Sequence, residues 1–120
     1  MTHSFPTLID LLSHNAQAHM DHAAVIVNDE TASQIYSHSM LYQAVQRQAA
    51  ALSTLGVKSG DRVLLLAGNR AEVLVLLGAV AWLGAVLVPL NLRLSPSEMV
   101  QQSSDASPTV AVVDVGCDAL

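Results

Sequence analysis

The chain has 120 residues, of which 52% are apolar and only 12% charged, with a formal net charge of −5. That length holds one modest core and not two. Its basic residues (Arg47, Lys58, Arg62, Arg70 and Arg93) are scattered and aromatics are few, which excludes a nucleic-acid face of clustered cations and stacking rings. Cys117 is the single cysteine, so no internal disulfide forms, and this fits a reducing, cytoplasmic setting. The opening MTHSFPTLID lacks the cationic-then-apolar order of a secretory signal. A mean hydropathy of +0.43 is high for so small a domain, so part of the apolar surface is expected to meet another layer of protein.

Taken in chain order, Thr7 with Asp10 reads as an N-cap with an acid in the first turn, opening a helix to about His19 along Leu8, Leu11, Leu12 and Ala16. Ala23 to Val27 suits a short strand. Asn28 to Thr31 supplies turn chemistry, and Ile35-Tyr36 a return strand. Ser37 or Ser39 caps the next helix, whose apolar face is Leu41, Val45, Ala49 and Leu52. Gly56 falls where a left-handed residue ends such a helix, and Val57 is placed to pack back on its last turn. After the turn Lys58-Ser59-Gly60-Asp61, the run Val63 to Ala67 is apolar on both alternating faces, as a central parallel strand covered on both sides requires.

Asn69 followed by Glu72 fits an N-cap with a reciprocal carboxylate, for a helix through Leu83 that ends at Gly84. Val86 to Pro89 is the next strand. Ser95-Pro96-Ser97-Glu98 repeats the device with proline at the first helical position, for a helix to about Ser104. A last strand is expected at Val110 to Val115. Strand, helix, strand, helix, strand at this spacing is the pattern of parallel βαβ units. Val73 to Leu90 has no charged or polar side chain and is long enough to cross a membrane as one helix. Gly78, Gly84, Pro89 and the valines after Gly84 favour instead a buried helix followed by a buried strand.

These segments resemble, in order and spacing, the N-terminal region of the AMP-forming acyl-CoA synthetase/ligase superfamily. The small-residue helix with its Leu55-Gly56-Val57 end, the Ser59-Gly60-Asp61-Arg62-Val63 turn and Asn69 before a helix all have counterparts there. So do Leu83-Gly84-Ala85-Val86, Val88-Pro89-Leu90-Asn91, Glu98 and Asp105-Ala106-Ser107, so that the likeness runs from Leu41 to Val115. Asn91 is closer to the acyl- and aryl-CoA ligases than to amino-acid adenylation domains, which tend to have aspartate there. Departures are Ser37-His38 where a threonine-tyrosine pair is usual, Leu83 for an alanine, and Trp82 for a common lysine.

The resemblance implies a two-step reaction, in which a carboxylate attacks the α-phosphate of ATP and a thiol then displaces AMP from the acyl-adenylate. It implies ATP, Mg²⁺ and CoA for the full-length enzyme. The Ser/Thr/Gly-rich phosphate loop, the Y-G-x-T-E-like segment, the ribose-binding aspartate and the late catalytic lysine do not occur in this chain. No catalytic, cofactor-binding or metal-binding residue is therefore expected within it, and it should be inactive alone.

Other features have local readings. Gly56-Val57-Lys58-Ser59-Gly60 follows a helix and precedes a strand, the wrong order for a phosphate loop. His14, His19 and His22 with Asp21 carry metal donors, but a site needs His19 and His22 on one helical face with partners holding their rings. His19-Met20-Asp21 resembles the family's His-Pro-Asp-like link from first helix to first strand. Cys117 has no activating base nearby in sequence. Trp82 reads as packing or subunit contact, and Asp105, Asp114 and Asp118 as solvated loop residues.

The expectation is an α/β fold with a partly parallel sheet flanked by helices, a single incomplete domain over residues 1–120. It would be the first subdomain of an adenylate-forming ligase, acting as scaffold for the remainder of the enzyme. The alternative is a stand-alone binding or regulatory module that joins itself or a full-length ligase through exposed apolar surface.

Overall fold

A computed structural model describes residues 7–28 and 31–114. Among the described residues nine elements follow one another: α1 (Leu8–Ala18), β1 (Ala23–Asn28), β2 (Ser33–Ser37), α2 (His38–Thr54), β3 (Arg62–Leu66), α3 (Ala71–Trp82), β4 (Val86–Pro89), α4 (Pro96–Ala106) and β5 (Val110–Val113). β1 and β2 form an antiparallel hairpin of their own, in which Ile26 faces Ile35. The other three strands make a wholly parallel sheet in the order β4-β3-β5. The expected "partly parallel" sheet is thus two separate sheets, one of each kind.

β3 is the hub because its residues are apolar on both faces. Val63 and Leu65 point into a core shared with Ala49 and Leu52 of α2 and Leu76, Ala79 and Val80 of α3. Leu64 turns the other way, onto Leu90 and Met99 of α4, with Leu66 and Val88 alongside. Helices therefore cover opposite faces, and the chain winds from β3 out to β4, then back across to β5. Each fully buried aliphatic side chain contributes roughly 1.5–3 kcal/mol, so the α2–α3 face carries most of the stability.

Local chemistry sets most helix ends. The Thr7 hydroxyl accepts the Asp10 amide (3.1 Å) while the Asp10 carboxylate accepts the Thr7 amide (3.0 Å), a complete capping box. Ser37 rather than Ser39 caps α2, accepting from the Met40 amide. Ser95 caps α4, with Pro96 in the first turn and Glu98 bonded back to the cap hydroxyl at 2.8 Å. α2 and α3 end alike. The Gly56 amide bonds to Ser53 and that of Val57 to Leu52, and the pattern recurs as Gly84 to Ala81 and Ala85 to Val80. Both glycines have positive φ (96° and 69°), the left-handed turn that glycine adopts without a Cβ clash.

The start of α3 departs from expectation. Arg70, not Asn69, is its N-cap residue, no side chain caps it, and Glu72 stands in the second rather than third helical position. Burial of Ala71 and the pairing of Arg70 described below fix this end from outside the helix. α3 is 12 residues long and gives way to β4 at Val86, so the apolar stretch is not one helix. No helix among the described residues is long and apolar enough to cross a membrane. The last strand ends at Val113, before the expected Val115; Val115, Cys117 and Asp118 lie outside the described residues, as do Asp29 and Glu30 of the expected turn. Asn28, expected in that turn, is instead the last residue of β1, its side-chain oxygen accepting the Ser33 hydroxyl at 2.8 Å.

α2 and α3 cross at Gly78. A Cβ there would lie 2.6 Å from a Val45 methyl and 3.3 Å from Leu12 of α1, and Val45 is wholly buried. Gly78→Val should lose about 1–3 kcal/mol by overpacking. Gly68→Ala, with open space around it, should stay within about 0.5 kcal/mol; urea unfolding of both variants measures the difference.

The Asp10 carboxyl is held below the ordinary carboxylate range, first by the Thr7 amide and then by the Thr7 side chain. A group whose pKa is lower folded than unfolded stabilises the fold above its unfolded value, and that gain is lost as pH falls through the folded value. Below about pH 4 α1 should therefore fray at its first turn. Thr7→Val should move the Asp10 titration upward in a carboxyl-resolved NMR titration.

Candidate functional site

Two junctions form at opposite ends of the parallel sheet. At the amino-terminal end, the segment Lys58 to Arg62 knits three elements together. The Asp61 carboxylate accepts the Lys58 amide at 2.8 Å, closing the turn. The Gly60 amide bonds to the Gly84 carbonyl (2.8 Å), and the Asp61 carbonyl accepts the Val86 amide (2.8 Å), which aligns β4 with β3. Ser59 approaches so closely that a Cβ on Gly84 would sit 2.8 Å from its hydroxyl. Arg62 then extends along the sheet edge, its Nε donating to the Ala106 carbonyl and a terminal nitrogen to Ser107 (3.4 Å). A guanidinium on the last carbonyls of α4 satisfies acceptors the helix leaves open and opposes its negative end. Arg62 is thus the cap of α4, a role that sequence spacing of 44 residues conceals.

At the carboxyl-terminal end lies a crevice between β3 and β5, beneath the start of α3. In open α/β sheets ligands bind in crevices outside the carboxyl ends of the strands. The cavity measures about 230 Å³, below the roughly 300–1,000 Å³ of sites that enclose small-molecule ligands. Its floor is aliphatic: Leu65, Ala67, Val73, Leu76, Val112 and Val113. Gln48, Glu72, Arg70 and Asp114 line its rim, and the Arg70 Nε pairs with an Asp114 carboxylate oxygen at 2.9 Å. Asp114 is 13% exposed on its side chain, so it is a half-buried tie between α3 and β5 and not the solvated loop residue that sequence suggests. The rim's cation is already paired, and the other titratable groups of the lining are the Glu72 and Asp114 carboxylates. The aliphatic floor can pack against an apolar group.

The sequence-noted residues settle elsewhere. His19 ends α1, His22 lies in the following turn, and their rings stack at 5.4 Å, with His38 of α2 at 6.4 Å from His19. They do not share a helical face. Among the described residues no group of three histidine, cysteine or carboxylate side chains is placed to hold a metal ion. Trp82 is 40% exposed and tilts against Tyr42 at 5.8 Å. The Asn91 side chain accepts the Arg93 amide at 2.9 Å, ordering the loop before α4.

The winding β4-β3-β5 with helices on both faces defines a doubly wound α/β unit. The family model described as "AMP-binding enzyme" matches residues 12–119, and the chain belongs to that family. It is 36% identical over 94 residues to 4-hydroxybutyrate–CoA ligase 2 of Metallosphaera sedula, covering 78% of this chain and 16% of that protein. To 2-succinylbenzoate–CoA ligase of Bacillus cereus it is 32% identical over 100 residues, 80% of this chain and 21% of that one. The fold superposes on a Mycobacterium tuberculosis fatty acyl CoA synthetase with a TM-score of 0.88 at 27% identity, over 95% of this chain and 22% of that one. On unliganded O-succinylbenzoate coenzyme A synthetase of Bacillus subtilis the TM-score is 0.81 at 30% identity, over 89% and 23%. The chain therefore spans about a sixth to a fifth of the length of the curated relatives it matches.

Removing the Arg62 cap should cost about 1 kcal/mol. Arg62→Ala should lower the urea midpoint and speed amide exchange in the last turn of α4, and Arg62→Lys should restore only part, because an ammonium lacks the planar fork.

Proposed function

We propose that these residues are the N-terminal scaffold of an AMP-forming acyl-CoA ligase. The whole enzyme would use ATP and Mg²⁺ to convert a carboxylic acid to its acyl-adenylate and then transfer the acyl group to CoA. The observation that carries this reading is the family match over residues 12–119 together with a superposition that spans nearly all of this chain and under a quarter of the solved ligase. In this reading residues 1–120 are one incomplete domain of a cytoplasmic enzyme. They supply a sheet and its covering helices, and other parts of the polypeptide supply the phosphate loop, the ribose-binding carboxylate and the catalytic lysine. The chain by itself binds neither ATP, Mg²⁺ nor CoA and has no turnover. The small, ion-paired crevice supports that, since electrostatic stabilisation of a phosphoryl or acyl transition state needs unpaired, preorganised donors.

A second reading rests on the exposed apolar side chains. Ile26 and Ile35 are a facing pair, each more than half exposed, and Val100 is 70% exposed. Such surface also suits a stand-alone module that associates with itself or with a full-length ligase. The two differ in solution. The scaffold reading expects the isolated chain to be poorly soluble or molten and to bind hydrophobic dyes. The module reading expects a soluble oligomer with a sharp melting transition in sedimentation and calorimetry.

The isolated chain, mixed with ATP, Mg²⁺ and short, long and aromatic carboxylic acids, should catalyse no exchange of labelled pyrophosphate into ATP. Exchange above the protein-free rate would overturn the assignment of scaffold.

A further inference from the structure

Three histidines meet where α1 ends and α2 begins. His19 is the C-cap of α1, His22 stands in the turn that follows, and His38 is the first residue of α2. Backbone hydrogen bonds pin this joint: the His22 amide donates to the His19 carbonyl (3.0 Å), the His38 amide to the His22 carbonyl (3.0 Å) and the Ser39 amide to the Met20 carbonyl (3.2 Å). The rings are free by comparison. His19 and His22 are exposed and His38 is half-buried, and among the described residues no ring nitrogen of the three has a hydrogen-bond or ion-pair partner. As they stand, the rings of His19 and His22 stack instead of converging on one point. Their spacing is nevertheless close to that of ligands to one ion. Two imidazoles on a zinc ion, each at about 2.0–2.1 Å, have ring centres roughly 5 Å apart. His19 lies 5.4 Å from His22, and at 6.4 Å from His38 it is a little beyond that spacing.

We infer that His19, His22 and His38 bind one divalent transition-metal ion of the zinc class, which fastens the end of α1 to the start of α2. The ion turns the rings out of their stack by side-chain rotation, and this breaks no hydrogen bond because the rings make none. Imidazoles without carboxylate partners suit Zn²⁺, Cu²⁺ or Ni²⁺, whereas Mg²⁺ and Ca²⁺ take oxygen donors. Water fills the fourth position, as three-histidine zinc sites allow. The effect falls on α1. That helix has no buried residue, and its Leu8 and Leu11 are exposed, so it belongs to the part of the fold that opens most readily. An ion held from both sides of the joint opposes that opening. His38 stands where the related ligases usually carry a tyrosine, so the third donor is a feature of this chain, and the site does not depend on the ligase reading.

The test is calorimetric titration of the chain with Zn²⁺ at about pH 7.5, where free imidazole is neutral, followed by amide hydrogen exchange with and without the ion. One ion per chain should bind. His19→Gln, His22→Gln and His38→Gln should each weaken binding at least about tenfold. His14→Gln, on α1 but outside the group of rings, should leave it unchanged. The rings replaced have no polar partner to lose, so these variants should fold as the parent does. With Zn²⁺ at about ten times its Kd, the α1 amides should exchange about tenfold more slowly, and in the His38→Gln chain they should not. Absence of binding, or binding indifferent to the three histidines, would overturn the inference. So would binding that survives His38→Gln undiminished, because a chelate of His19 and His22 alone needs only neighbouring sequence and not the joint. Zinc bound through all three rings with α1 exchange unaltered would overturn it as well, since the ion would then fasten nothing.

Discussion

The packing of this molecule depends on how near α3 comes to α2 and α1. At Gly78 the approach leaves no room for a side chain, because Val45 fills the space from one side and Leu12 adjoins it. That nearness brings Leu76, Ala79 and Val80 down onto Ala49 and Leu52 and seats all five above Val63 and Leu65. Interiors at crystal-like density do not yield gradually. An α3 held farther away would open the largest core at its centre, where each buried aliphatic is worth roughly 1.5–3 kcal/mol. A glycine that weakens a helix by about 1 kcal/mol relative to alanine is retained where the packing it permits outweighs that loss.

The two ends of the sheet divide the remaining work. At the amino-terminal end, polar groups tie elements to one another: an aspartate on its own turn, a glycine carbonyl against Gly60, an arginine on the end of α4. At the carboxyl-terminal end one ion pair spans an otherwise aliphatic crevice, the position where parallel α/β sheets admit ligands. That contrast supports the proposed scaffold reading. The end that is chemically rich is committed to holding elements together, and the end that is open has little chemistry of its own.

How far the sequence disclosed this varies by feature. Thr7, Ser37 and Ser95 cap their helices through bonds to residues three positions on, and Gly56 and Gly84 end theirs through bonds within the last turn. Such signals lie in a few consecutive letters and could be read directly. The apolar run of β3 likewise announced a strand covered on both faces. Asn69 misled because it has capping chemistry one residue too early. α3 starts where Ala71 is buried and Arg70 reaches Asp114, and that partner lies 44 residues along the chain. Asp114 reads as a solvated loop residue for the same reason, and no local pattern around Arg62 points to the end of α4. The crevice had no sequence signature, since its walls come from α2, β3, α3 and β5.

By itself, then, the sequence determined the elements, most of their ends and the family, because hydrophobic period, turn residues and caps act over one to four positions and survive in any context. Only the tertiary structure decided the strand order, the split into a hairpin and a separate parallel sheet, and the start of α3. Those are settled by contacts between residues far apart in the chain, whose energy depends on nearness and burial that no local pattern encodes.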